Sequence, residues 1–226
     1  MNNLPIYIPV VFIATTFATL YLLFRASGKS KMLMIAVIAW LIVQTIVGLS
    51  GFYTNTQTIP PRFIFLILPP LATIAILFIS NKGRSFIDQW NLPWATWLHI
   101  VRIPVELVLL WLFLHKQVPQ LMTFEGRNFD IISGLTAPVI IALAWKKGLL
   151  VKRKILLLWN MICLVFLLNI VILAIFAAPF PFQKWAFDQP NIAVLYFPYL
   201  WLPGFIVPAV LMAHLVSIRR IMALKN

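Results

Sequence analysis

The chain has 226 residues, of which 62% are hydrophobic and 10% charged, with a mean hydropathy of +0.98 and a net charge of +13. A water-soluble domain carries roughly a quarter of its residues as charges, so this composition excludes a soluble globular protein and requires lipid as solvent. Nucleic acid is excluded as a partner, because no basic stretch interleaved with aromatics stands outside the apolar runs. Lysine and arginine sit instead at the ends of those runs, where they set orientation and meet anionic lipid head groups at the cytoplasmic face.

A helix needs about 20 apolar residues to cross the hydrocarbon core. Seven such runs follow one another, at residues 5–25, 32–53, 62–80, 93–115, 129–146, 154–177 and 197–219. The first opens without the positive stretch of a signal peptide and is long enough to span, so Met1 reads as the mature start. RASGKSK leads to the second run, which carries Gln44, and TNTQTIPPR leads past Arg62 to the third, with Pro69 and Pro70 inside it. NKGRSFIDQWNL precedes the fourth, where WLHIVRIPVEL places His99, Arg102 and Glu106 around Pro104. TFEGRNFD, with Glu125, Arg127 and Asp130, opens the fifth; KKGLLVKR separates it from the sixth, which carries Asn160, Cys163 and Asn169. The segment APFPFQKWAFDQPNIAVLY reads as interfacial from its aromatics and prolines. Pro203, Pro208 and His214 belong to the last run.

These runs predict an all-α integral membrane protein, a single domain over 1–226 with seven transmembrane helices, several of them proline-kinked around a central polar cavity. With the N-terminus outside and the C-terminus cytoplasmic, thirteen lysines and arginines fall inside, four outside, and Arg102 within a span. That bias gives the orientation and suits a plasma membrane, such as the inner membrane of a bacterium. Each proline removes a backbone donor and frees a carbonyl one turn earlier, which lipid cannot satisfy but a neighbouring helix can.

His99, Arg102 and Glu106 lie within about 60° on one helical face, with Arg102 and Glu106 astride the midplane. Charges at that depth are costly and face the bundle interior. Two readings stay open: the two neutralise each other and lock packing, or they line a site for a polar ligand or a proton. Depth counting places His214 and Asn160 on the level of His99, as a hydrogen-bonded or proton-relaying layer. A haem held by His99 and His214 is the weaker alternative, and neither cofactor nor metal is expected. Gln44 and Asn169 are expected beside Arg102 in the interior. Arg62, Glu125, Arg127 and Asp130 are candidates for an outer entrance, with Asn128 or Asp130 as a helix cap.

A retinal protein needs a lysine in its last span, and 197–218 contain none. No nucleotide loop, HExxH or serine triad order is present. The functional expectation is therefore a transporter or ligand-binding membrane protein for a small polar or anionic solute, with proton linkage left open. The alternatives are a membrane enzyme acting on a lipid or isoprenoid, with Glu106 and a histidine as acid and base, and a non-catalytic assembly subunit. The enzyme question stays open, leaning against catalysis.

Overall fold

The computed structural model describes residues 4–146 and 149–223, so Met1 and two of the thirteen basic residues expected inside, Lys147 and Lys225, lie outside the described residues. The chain is mostly helical. In order come α1 (Tyr7–Ala26), α2 (Lys31–Leu49), α3 (Ile64–Ile79), α4 (Asn81–Ile87), α5 (Leu92–Trp97), α6 (Arg102–Leu114), α7 (Asp130–Ala144), a two-residue hairpin β1 (Trp145–Lys146) and β2 (Leu149–Leu150), α8 (Arg153–Ala177) and α9 (Val207–Ala223). A 3-10 turn (Leu98–Val101) joins α5 to α6, and a π turn (Leu202–Ile206) leads into α9. The hairpin pairs Trp145 with Leu150 and Lys146 with Leu149.

Five of the described helical runs are long and apolar enough to cross a membrane, namely 7–26, 31–49, 92–114, 153–177 and 202–223; a sixth is added if α3 and α4 cross as one. The third and fifth expected spans are where the structure departs from seven uniform helices. α3 is followed by α4 after a bend of 96°. The Ser80 side chain starts the second helix by accepting from the Gly83 amide. At Gly83 a Cβ would lie 2.5 Å from both the Cα and the carbonyl oxygen of Leu77, so only glycine lets the two helices fold together this closely.

The fifth span is a helix of 15 residues, about 22 Å long at 1.5 Å per residue. It is short because the chain before it does not stay at the surface. Asn128 hydrogen bonds to Glu106, eight residues before the end of α6, and the Arg127 carbonyl accepts from Asn169, eight residues before the end of α8. Both place the loop about 12 Å below the ends of these helices. Irregular backbone at that depth must be satisfied by protein. The Met122 carbonyl accepts from Asn128 Nδ2 at 3.0 Å, the Asp130 amide donates to Asn128 Oδ1 at 3.0 Å, and the Gly126 amide donates to Thr123 O at 2.9 Å. Asn128, expected as a cap, is thus a clamp between loop and helix.

Proline supplies the remaining irregularities. Pro104 has no N–H for the carbonyl of Ile100, and the backbone tightens to 3-10 geometry just before it. Pro208 likewise leaves the Gly204 carbonyl free, and Trp40 Nε1 of α2 donates to it at 2.9 Å. Residues 178–201 cover one end of the bundle: Gln189 Nε2 donates to the Phe113 and Val118 carbonyls, and Asn191 N–H donates to Ala177 O. At the other end Arg219 donates twice to Asp88, at 2.8 and 2.9 Å. The Arg219 guanidinium holds the Asp88 carboxyl below the usual carboxylate range. The contribution of this exposed pair is therefore present at neutral pH and lost as pH falls through that lowered value.

Candidate functional site

Four elements meet around Arg102. The 3-10 turn eclipses residues three apart, which stacks His99 one turn from Arg102 on the face turned towards α7 and α9. The His214 ring from α9 lies over His99, with centroids 4.0 Å apart and planes at 25°, and the Trp159 ring of α8 meets the edge of His99 at 5.3 Å. His99, Arg102, Glu106, Asn160 and His214 are all buried, at 2% exposure or less. The shared depth expected for His99, His214 and Asn160 becomes direct contact because α9 packs against both the 3-10 turn and α8.

The hydrogen bonds define one tautomer. Arg102 Nη2 lies 2.9 Å from His214 Nε2, and a guanidinium only donates, so Nε2 is the bare, accepting nitrogen. His214 Nδ1 then carries the proton and donates to Asn160 Oδ1 at 2.9 Å, while Asn160 Nδ2 donates to the Leu156 carbonyl at 2.8 Å. The chain ends on a backbone acceptor with no onward partner for a proton. Neither nitrogen of His99 has a protein partner among the described residues. The stacked imidazoles also leave no space for iron between them, which argues against haem ligation. No group of three or more His, Cys, Asp or Glu able to hold a metal occurs among the described residues.

Arg102 and Glu106 are not an ion pair. The counter-charge of Arg102 is Asp130, at 3.0 Å between Nη1 and Oδ1. The approach lies off the N–H axis, making it a Coulombic contact without an aligned hydrogen bond. Asp130, expected at a solvated entrance, is 6% exposed and faces inward, because the descending loop starts α7 at the level of Arg102. Gly134, one turn further on, allows this approach. A Cβ there would stand 2.8 Å from Ile103 Cγ1, 3.2 Å from Ile103 N and 3.3 Å from the His99 carbonyl.

Glu106 has a different environment. Its Oε1 accepts from Asn128 Nδ2 at 2.5 Å, and its Oε2 is buried without a protein partner among the described residues. One guanidinium balances one carboxylate, so Glu106 is the buried acid left without a counter-charge. Glu106 and Asp130 both line a cavity of about 260 Å³ between α3, α6, α8 and α9. Its wall is otherwise almost wholly apolar, with Ile67, Leu109, Leu167, Val171, Ala174 and Leu211 among its residues. Leu71 and Leu168 at its rim are also exposed on the outer face of the bundle. The central cavity expected to be polar is thus a hydrocarbon-walled space with two carboxylates on one side.

The other candidates lie elsewhere. Gln44 is buried in α2, where its Oε1 accepts from the Tyr53 hydroxyl at 2.5 Å. Asn169 does not face Arg102; it is occupied with the loop carbonyl at Arg127. Arg62 stacks on Phe52 at 4.9 Å, and Glu125 and Arg127 are exposed, so these three do not converge with Asp130 into an entrance. What the sequence reading missed is the inward placement of Asp130 and Asn128, expected at an outer entrance and as a helix cap. The signal for it was the shortness of the apolar run after Asp130.

A family described as Domain of unknown function (DUF8737) matches residues 59–222, and the chain belongs to it. No curated protein and no solved structure matches the chain.

Proposed function

We propose that this family member is a membrane protein that binds an amphipathic small molecule, with its hydrocarbon part in the cavity between α3 and α8 and a hydrogen-bonding polar group on Glu106. The observation that carries this reading is Glu106, which lines an otherwise apolar cavity and keeps a buried Oε2 without a protein partner among the described residues. Ligand pockets commonly combine an apolar lining with a few placed polar groups. A hydroxyl or amine satisfies Oε2; an anion is disfavoured, because Arg102 is already engaged by Asp130 and His214 and an anion there meets two carboxylates. This shifts the ligand from a small anionic solute towards a lipid-like one. Transport remains the activity best suited to a cavity whose rim reaches the lipid face. Catalysis on a lipid or isoprenoid is the second reading, favoured by one observation: two acidic side chains, Glu106 and Asp130, line the same space and are able to serve as acid and base.

The test is the amphiphile retained through purification in mild detergent, extracted and identified by mass spectrometry. Ala174→Phe fills the cavity and abolishes retention with helical content unchanged. Glu106→Gln weakens it by roughly two- to tenfold, the net worth of a hydrogen bond. Retention unaffected by Ala174→Phe sinks the proposal. Chemical change of the added amphiphile, lost in both Glu106→Gln and Asp130→Asn, selects the catalytic reading.

The same proposal has the chain crossing the membrane seven times, N-terminus outside and C-terminus cytoplasmic, with α7 completed by its descending loop and α3 by its flanks. The placement of the basic residues supports this. Single cysteines at Asn55 and Lys152, both exposed, are expected to react with an impermeant maleimide from opposite sides of sealed vesicles. Labelling of both from one side overturns the orientation.

A further inference from the structure

A second cavity, of about 710 Å³, lies at the end of the bundle where the α1–α2 turn, the α4–α5 connection, the hairpin and the end of α9 meet. It is lined by three cations, Arg25, Lys29 and Arg220, together with Trp90, Trp94 and Trp145, and by no acidic residue among the described ones. Two of the cations, Arg25 and Arg220, are held in place rather than merely solvated. Arg25 stacks on the Trp94 ring at 4.0 Å and donates to the Tyr21 hydroxyl at 2.8 Å, and Arg220 donates to the Trp90 carbonyl. Asp88, the acid that acts on Arg220, is bound by Arg219 through two hydrogen bonds. Trp90 is 1% exposed, and its Nε1 is a buried donor with no protein partner among the described residues. On its other side Trp90 walls an apolar groove of about 260 Å³ between α1, α2, α3 and α9, lined by Leu33, Val37, Leu77 and Met212.

We propose that this end of the protein is a specific site for one anionic phospholipid, its phosphate among Arg25, Lys29 and Arg220 and an acyl chain in the groove beyond Trp90. Basic pockets between transmembrane helices hold phosphate head groups in this way, and tryptophan belongs at the head-group level. Three cations in a cavity with no acidic lining among the described residues, beside an apolar groove, match a ligand with one anionic end and one hydrocarbon chain. A free phosphate would use the cations and leave the groove unused. The site shares no residue with the Glu106 cavity and stands or falls separately from it.

The experiment uses the full chain in nanodiscs of phosphatidylcholine alone or with added phosphatidylglycerol, with bound lipids counted by native mass spectrometry. One phosphatidylglycerol is expected to be retained in preference to phosphatidylcholine. Each lost cation lowers that preference about fivefold near the surface, and the double variant Arg25→Gln with Arg220→Gln abolishes it. Lys29→Asn serves as the variant certain to fold, since Lys29 is exposed with a φ of 63° and asparagine tolerates that region. A fivefold loss in Lys29→Asn supports the site. Equal retention of both lipids by the wild-type chain, or an unchanged preference in Lys29→Asn and the double variant, overturns it. Inorganic phosphate or glycerol phosphate displacing the bound lipid at millimolar concentration overturns the assignment to a lipid.

Discussion

Asp130→Ala is expected to lower the stability of the folded protein by about 3–5 kcal/mol, the largest loss of any single substitution outside the apolar core. The reason is the charge it leaves behind, more than the attraction it removes. Arg102 is 2% exposed, and its only ionic partner within 4 Å among the described residues is Asp130. Glu106 is on the same helix but is engaged by Asn128 instead. Deleting Asp130 strands a guanidinium in the bundle with the bare nitrogen of His214 as its one aligned acceptor. The converse change, Arg102→Met, strands Asp130 and leaves His214 Nε2 without its donor. Replacing both, as Arg102→Met with Asp130→Leu, removes the two desolvation costs together and is expected to recover most of the loss, since an apolar pair of similar volume is often as stable as a buried ion pair. Denaturant titration in mixed micelles of the two single variants and the double variant gives the coupling directly. A loss under about 1 kcal/mol for Asp130→Ala refutes Asp130 as the buried counter-ion, because a loss that small is what an exposed ion pair gives.

Gly134→Val is expected to be the second most damaging change, and it tests the packing that brings Asp130 to Arg102. Glycine inside a helix is unfavourable by about 1 kcal/mol relative to alanine, so a substitution at an uncrowded site would stabilise α7. Here the added Cβ meets the Ile103 side chain at 2.8 Å and two backbone atoms, Ile103 N and His99 O, at 3.2 and 3.3 Å. The side chain has room to turn away; the backbone has not. Overpacking costs about 1–3 kcal/mol, which outweighs the propensity gain, and valine adds two further carbons. Gly134→Ala should be near neutral or mildly destabilising, and Gly134→Val clearly destabilising, with Arg102 and Asp130 driven apart. The pair of melting temperatures in detergent decides it: a rise for both variants shows that α7 does not approach the 3-10 turn this closely.

Much of the helical pattern was legible in the chain, because apolar runs bounded by charges have one physical outcome in lipid. Runs 1, 2, 4, 6 and 7 correspond to described helices long enough to cross. The two that depart do so for reasons a run length does not carry. Ser80 and Gly83 look like an ordinary loop until the close approach to Leu77 is seen. TFEGRNFD has the composition of a surface turn, and half of it is one, with Glu125 and Arg127 exposed; Asn128 and Asp130 are buried because α6 supplies their partners, Glu106 and Arg102. The candidate site divided in the same manner. Intramembrane Arg102 and Glu106 stand out from hydropathy alone, as does the common depth of His99, Asn160 and His214.

The partners of those residues came from tertiary structure. A helical wheel sets Arg102 beside Glu106, four residues on, whereas the structure pairs Arg102 with Asp130, twenty-eight residues on, across the contact that Gly134 permits. The sequence by itself determined that this protein lives in lipid, which segments are helical, and which buried charges need an answer, since these follow from transfer free energies of the residues one at a time. Only the tertiary structure decided which charge answers which and left Glu106 facing an apolar cavity, because a counter-ion is chosen by distance in space and a cavity by what neighbouring helices leave unfilled.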